Sequence, residues 1–376
     1  MLEKTFKKIY LSPPSINIDC LEDIGDSIIE LNSMTINSKN NQFEKALCDL
    51  IGTKYAKATS TGTSALHLSL KALGIKPEDE IVMPTLTFAA TAFAASYIGA
   101  NITFVDVEKE SWNLDPDLLE SYLKKKQVRP KLIMLVDLYG MPGNYDKFLE
   151  ISDSYEIPLL IDSAESLGSK YNNINTGGFG LVNTLSFNLN KIVTNGGGGA
   201  VLSNNQDIIE KVSYFANQAK SDAPWFEHID IGFNYRASDI LSAIGVYQLK
   251  KLDYFVMRKH EINKLYTKKL QSQNLIEIQS DHDKSQSNFW LTNILVKSKS
   301  ENRNTIDKIH KALLSVGVES RYLFKPLHLQ KIYEGHNTVL NGNSERLFNS
   351  GLSLPSGVDL TDSEIEYVSQ VILSQF

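Results

Sequence analysis

One lysine, Lys191, stands between two strand-like runs, Thr184 to Phe187 and Ala200-Val201-Leu202, and four successive glycines, Gly196 to Gly199, follow it. Glycine loses more conformational freedom on folding than any other residue, so four in a row fit a sharp turn or a close approach to a ligand. Upstream, the apolar run Ile157 to Ile161 reads as a buried strand and ends in Asp162, with Glu165 shortly after. Ligands of open α/β sheets bind beyond the carboxyl ends of the strands. A primary amine and a strand-end carboxylate are therefore candidates for one site.

The glycines are not those of a P-loop, because the lysine precedes them, nor of a dinucleotide fingerprint, because a strand-like run and not a helix follows. A mobile hairpin with a solvated lysine is the alternative for this stretch alone. A strand-end acid plus a loop lysine is what pyridoxal 5′-phosphate needs: the lysine condenses with its aldehyde, and the acid keeps its ring nitrogen protonated so that the ring can take up electrons.

Three separated stretches, Asp162-Ser-Ala-Glu165-Ser-Leu-Gly168, Ser186-Phe-Asn-Leu-Asn-Lys191 and the glycine run, together resemble the DegT-type sugar-nucleotide aminotransferases, over nearly the whole chain. Within that family the chain is most similar to the transaminases that make UDP-N-acetylbacillosamine, which also carry glutamate at the position of Glu165. The resemblance implies a fold type I pyridoxal-phosphate enzyme, with a mostly parallel sheet flanked by helices and a smaller C-terminal α+β domain. It implies Lys191 as the base and covalent anchor, Asp162 as the partner of the ring nitrogen, and Glu165 near both cofactor and substrate. A histidine at the position of Lys191 marks dehydratases in the family, so lysine favours transamination.

The turn Thr61-Gly-Thr-Ser64 opens the helical run Ala65 to Leu73 and reads either as an ordinary cap or as an anion site. The resemblance assigns Gly62, Thr63, Ser64 and Ser186 to the cofactor phosphate. Phe88 follows the strand Glu80 to Pro84 and by spacing alone is core; the resemblance stacks it on the cofactor ring. Gly232-Phe-Asn234-Tyr-Arg236 reads as a capped helix start before Ile240 to Leu249, whereas the resemblance brings Asn234 to the phosphate of a neighbouring subunit, giving a homodimer with shared active sites. Arg236, Lys325 and His328 are candidate substrate contacts, a solvated lysine and a surface histidine being the alternatives for the last two. His67 reads as a packing residue. Asn37 stands where the resembled enzymes carry glycine and is expected to adopt a left-handed conformation. The implied substrates are L-glutamate, as amino donor, and a UDP-linked 2-acetamido-4-keto-6-deoxy sugar. Another dTDP- or GDP-linked keto sugar, or a non-catalytic sugar-nucleotide-sensing relative, is the alternative.

These residues must be positioned by alternating elements. Strands are expected at Tyr55 to Ser60, Glu80 to Pro84, Ile102 to Val105, Leu132 to Val136 and Ile157 to Ile161, with helices between, a pattern that gives a parallel sheet covered on both faces. A long helix near 250–271 divides a large domain, 1–250, from a small one, 251–376, with strands at Phe289 to Val296 and Ser320 to Leu323.

Composition sets the remaining bounds. The 376 residues are 42% hydrophobic and 22% charged, and a net charge of −6 leaves no basic footprint for nucleic acid. The two cysteines, Cys20 and Cys48, have no disulfide or zinc spacing, and no metal is expected. No run is long and apolar enough to span a membrane and no signal region follows Met1, so a cytoplasmic location is expected.

Overall fold

The structure is a computed structural model that describes residues 8–32, 38–271, 274–297 and 303–376. Asn37 lies outside the described residues. Its centre is an eight-stranded sheet of β1 (Tyr55–Thr59), β2 (Glu80–Pro84), β3 (Asn101–Val105), β4 (Leu132–Val136), β5 (Leu159–Asp162), β6 (Val182–Ser186), β7 (Gly199–Ser203) and β8 (Asn337–Val339). Their order across the sheet is β1-β7-β6-β5-β4-β2-β3-β8. β7 runs antiparallel to both neighbours, and every other pair is parallel.

Side-chain alternation builds a core on each face. Ile81, Met83, Leu132 and Met134 pack with Leu66 and Leu70 of the helix Gly62–Ala72. Val82, Ile133 and Leu135 point the other way, onto Leu119 and Phe148 from the helices Pro116–Lys125 and Tyr145–Tyr155. Because both faces are covered, β4 is apolar at every position and buried throughout. β5 starts two residues later than its apolar run suggests, after Pro158, which has no N–H to give to a ladder.

The helix Leu252–Leu270 leads to a second, antiparallel sheet of Ile276–Ile278, Thr292–Val296, Arg321–Tyr322 and Gly351–Leu354. The helices Arg303–Ser315 and Asp362–Leu373 pack with it in a core of their own. The strand expected from Phe289 begins only at Thr292, because Phe289 has φ of 46°, a left-handed conformation that ends an extended run. β8 was not foreseen: three residues of the C-terminal segment return to the large sheet and pair with β3. Among the described residues no helix is long and apolar enough to cross a membrane.

Candidate active site

A cavity of about 270 Å³ opens at the carboxyl ends of β5 and β6, beside the start of the helix Gly62–Ala72. Gly62, Thr63, Phe88, Asp162, Glu165, Ser186 and Lys191, separated by up to 129 positions in the chain, all line it.

β6 ends at Ser186, and a turn closed by the Lys191 N–H donating to the Asn188 carbonyl (2.9 Å) carries the lysine over the strand ends. Lys191 Nζ lies 3.3 Å from Glu165 Oε1 and 4.2 Å from the centroid of the Trp290 ring. Asp162 terminates β5. Its Oδ2 accepts from the Thr91 hydroxyl (2.8 Å) and its Oδ1 from the Ala164 N–H (3.2 Å). Burial pushes its pKa up, opposed by the Thr91 and Ala164 donors and by the charge of Lys191. Burial also raises the pKa of Glu165, opposed first by Lys191 and then by the Tyr139 N–H, which donates to Oε2 at 2.7 Å. Tyr139 makes that bond from a left-handed conformation, φ 54°, an example of backbone strain at a site of chemistry. Its ring stacks on Phe324, 5.1 Å between centroids, and Phe324 in turn lies 5.7 Å from Phe88.

Thr61 caps the helix by accepting from the Ser64 N–H, and the Ser64 hydroxyl accepts from the Thr61 N–H in return. The hydroxyl of Ser64, expected at a phosphate, is thus spent on this capping box, and Ser64 is buried behind the cavity wall. The first N–H groups of a helix have no intrahelical acceptor, so Gly62 and Thr63 present an anion-binding mouth. Two glycines keep it open. A Cβ on Gly62 would meet Ser186 Cβ at 2.8 Å, and one on Gly199 would meet the Thr61 carbonyl oxygen at 2.4 Å.

Four expected contacts lie elsewhere. His328 is not at the cavity: its Nδ1 pairs with the Thr85 hydroxyl (2.6 Å) and its Nε2 faces Glu345 (3.3 Å), so both ring nitrogens serve the packing of the helix Asn343–Ser350 against the end of β2. Lys325 is exposed and outside the lining. Asn234 and Arg236 are also exposed and outside their own chain's cavity. They follow a loop on which Trp225, Phe226, Ile229 and Ile231 are 66–83% exposed, a concentration of apolar surface of the kind that marks an interface. Conversely, Trp290, Arg321 and Phe324 line the cavity without having been expected there. They come from the C-terminal part of the chain, where no motif flags them. His67 packs among Tyr97, Phe233 and Tyr235, as a core histidine does.

A larger hollow, about 850 Å³, lies at the opposite ends of β2 and β3. Glu80 in its wall is already engaged, accepting from Thr103 (2.6 Å), Tyr122 and Lys126 (2.9 Å). Lys191 and Asp162 are absent from it, so the smaller cavity is the candidate site. Among the described residues no cluster of His, Cys, Asp or Glu could hold a metal ion.

The model of the DegT/DnrJ/EryC1/StrS aminotransferase family matches residues 23–373. The chain belongs to this family. It is 35% identical to EpsN of Bacillus subtilis (strain 168), which carries the provisional name of a pyridoxal phosphate-dependent aminotransferase, over 98% of this chain and 96% of EpsN. It is 33% identical to the GDP-perosamine synthase of Escherichia coli O157:H7, covering 91% and 92% of the two chains. It is 32% identical to the UDP-4-amino-4,6-dideoxy-N-acetyl-beta-L-altrosamine transaminase of Campylobacter jejuni subsp. jejuni serotype O:23/36 (strain 81-176), covering 91% and 90%. Its fold is similar to that of Helicobacter pylori PseC, an aminotransferase involved in the biosynthesis of pseudoaminic acid, with a TM-score of 0.89, 27% identity, and 98% and 99% of the two chains covered. This DegT-family protein is a pyridoxal-phosphate-dependent sugar-nucleotide aminotransferase. Its cavity fits that cofactor: a helix mouth cleared by Gly62 and Gly199 for a phosphate, an aromatic wall at Phe88, a buried acid at Asp162 and an amine at Lys191.

Proposed function

We propose that the enzyme transfers the amino group of L-glutamate to C4 of a UDP-linked 2-acetamido-4-keto-6-deoxy sugar, in bacillosamine-type synthesis for surface glycans, in the cytoplasm. The observation that carries this reading is Glu165, the residue that the bacillosamine transaminases share, buried with one oxygen facing Lys191 Nζ. The similarity to the UDP-sugar transaminase of Campylobacter supports it. The similarity to GDP-perosamine synthase favours a second reading, with a GDP-linked 4-keto sugar as acceptor.

Gly62, Thr63 and Ser186 would hold the phosphate of pyridoxal phosphate, Phe88 its ring face and Asp162 its ring nitrogen. When bound, the cofactor supplies an electron sink that stores the amino group between donor and acceptor. Lys191 Nζ is the base that takes a proton from the α-carbon of glutamate and later delivers one to C4 of the sugar. Glu165 orients that amine through the contact of its Oε1 with Nζ. Asp162 keeps a charge where electron density accumulates. Asn234 of a second copy would complete the phosphate site and Arg236 would meet the anionic nucleotide, which makes the active unit a homodimer.

The test is a screen of nucleotide 4-keto sugars with L-glutamate, following 2-oxoglutarate and the mass of the sugar product. Amination of the UDP-linked 2-acetamido sugar is expected. Turnover of only the GDP-linked sugar would transfer the assignment to the second reading, and no amination of any keto sugar would sink both.

A further inference from the structure

Lys259 lies in the helix Leu252–Leu270 and is 3% exposed. A lysine so deeply buried is unusual unless its nitrogen is satisfied. Its Nζ donates to the carbonyl of Trp290 (2.8 Å) and to the carbonyl of Ser356 (2.7 Å), and no carboxylate pairs with it among the described residues. Burial without a counter-charge pushes its pKa down to about 7. Two carbonyls need only two N–H bonds, and the neutral amine carries both, so the contact survives loss of the charge.

What Lys259 grips is a strained turn, not a strand. Residues 287–291 lead into Thr292–Val296 through Phe289, whose φ of 46° is costly for a bulky side chain. The turn reaches the active site at two points. The Asn288 amide donates to the Glu165 carbonyl (2.9 Å), and the Trp290 indole N–H donates to the carbonyl of Asn190, the neighbour of Lys191 (2.6 Å). The Trp290 ring itself faces Lys191 Nζ.

We propose that Lys259 is a positioning residue: its side-chain nitrogen pins the turn at Trp290 and so holds the indole ring that keeps the Lys191 amine aimed into the cavity. The inference rests on Lys191 being the reactive amine. Its test has one arm that does not depend on turnover. The chain has three tryptophans, so Trp112→Phe with Trp225→Phe leaves Trp290 as the sole indole. In cofactor-free protein of that background, Lys259→Met, which keeps volume and loses both donors, is expected to red-shift Trp290 emission and raise its quenching by acrylamide. The rate at which the apo-protein captures added pyridoxal phosphate should fall about tenfold, the effect of a misaimed amine. Lys259→Arg, which keeps donors, should recover most of both. Trp290→Ala should slow capture by a similar factor without touching the pinned carbonyl, and adding Lys259→Met to it should do little more. An unchanged Trp290 signal in Lys259→Met overturns the proposal, as does a shifted signal with normal capture. If Lys259→Met does not fold, normal capture by Trp290→Ala overturns it alone. Failure to aminate any sugar leaves these readouts intact.

Discussion

Lys191 sits between a carboxylate and an indole face, its Nζ 3.3 Å from Glu165 Oε1 and 4.2 Å from the centroid of the Trp290 ring. Replacing Lys191 by alanine removes the base. The expected loss is about three orders of magnitude or more in turnover, read in single-turnover kinetics with glutamate. Turnover at the normal rate would remove Lys191 from the mechanism. Asp162→Ala should leave the far-ultraviolet spectrum unchanged but raise the barrier by about 3 kcal/mol, roughly a hundredfold in kcat. Near-normal kcat would mean that another acid holds the ring. Lys191, Asp162, Glu165, Ser186 and the Gly62 turn were legible in the sequence because each lies in a short motif at a strand end. Arg321, Trp290 and Phe324 were not, because a distant part of the chain presents them one at a time. His328 is a candidate substrate contact by resemblance alone, and its partners Thr85 and Glu345 are visible only once the chain is folded.

At the scale of elements, the close contact between β7 and the helix mouth is as much a part of the site as any side chain. Gly199→Ala would drive a methyl group into the Thr61 carbonyl, and overpacking of this kind costs about 1–3 kcal/mol. We expect pyridoxal phosphate to bind at least about tenfold more weakly, by equilibrium titration. Gly25→Ala, with nothing within 4 Å of the new Cβ and no place in the cavity lining, is the control that should bind normally. Behind β5, the buried Asp137 anchors the turn that follows Asp162, accepting from the hydroxyls of Ser163 (2.9 Å), Ser166 (2.6 Å) and Tyr145 (2.7 Å). Burial pushes its pKa up to about 6 despite those donors. A raised pKa means that the folded state holds the proton more tightly than the unfolded chain. The stabilisation is therefore full below about pH 4 and is lost as pH rises toward 6. The difference in unfolding free energy between wild type and Asp137→Asn should fall by up to about 3 kcal/mol across that window. A flat difference would show that the hydroxyl donors keep Asp137 ionised throughout. The parallel strands and their helices could be read from apolar runs and periodicity. The late start of Thr292–Val296 could not, since nothing in Ser-Asn-Phe-Trp announces a left-handed phenylalanine.

At the scale of the whole molecule, a single chain exposes Asn234 and Arg236 beside a loop of bare tryptophan, phenylalanine and isoleucine. If two copies share their sites, each defective protein should rescue the other. Asn234→Ala subunits mixed with Lys191→Ala subunits would form heterodimers in which one site carries both defects and the other neither. Activity near half that of the wild-type dimer, per heterodimer, is the expected result if each parent is inactive. Heterodimers that form, as seen by native mass spectrometry, and remain inactive would refute sharing. Assembly of this kind is the least legible property in a sequence, because one chain's residues show neither the partner nor its geometry.

β8 lies about 340 residues into the chain, yet it forms the outer edge of a sheet whose other seven strands are complete by Ser203. Leu327 and Tyr333, just before it, are buried in the same core as the helix Gly62–Ala72. On the ribosome, β3 therefore waits with an unpaired edge and an unfilled hydrophobic pocket until almost the whole chain has emerged. At about 5–20 residues per second, the 133 residues between β7 and Asn337 take on the order of ten seconds to synthesise. During that interval the exposed edge of β3 is a template for pairing with other nascent chains. The path of the chain thus imposes an order on biogenesis: the large sheet closes only after Arg321–Tyr322 has been made, and the second sheet waits longer still, for Gly351–Leu354, which pairs with both Thr292–Val296 and Arg321–Tyr322.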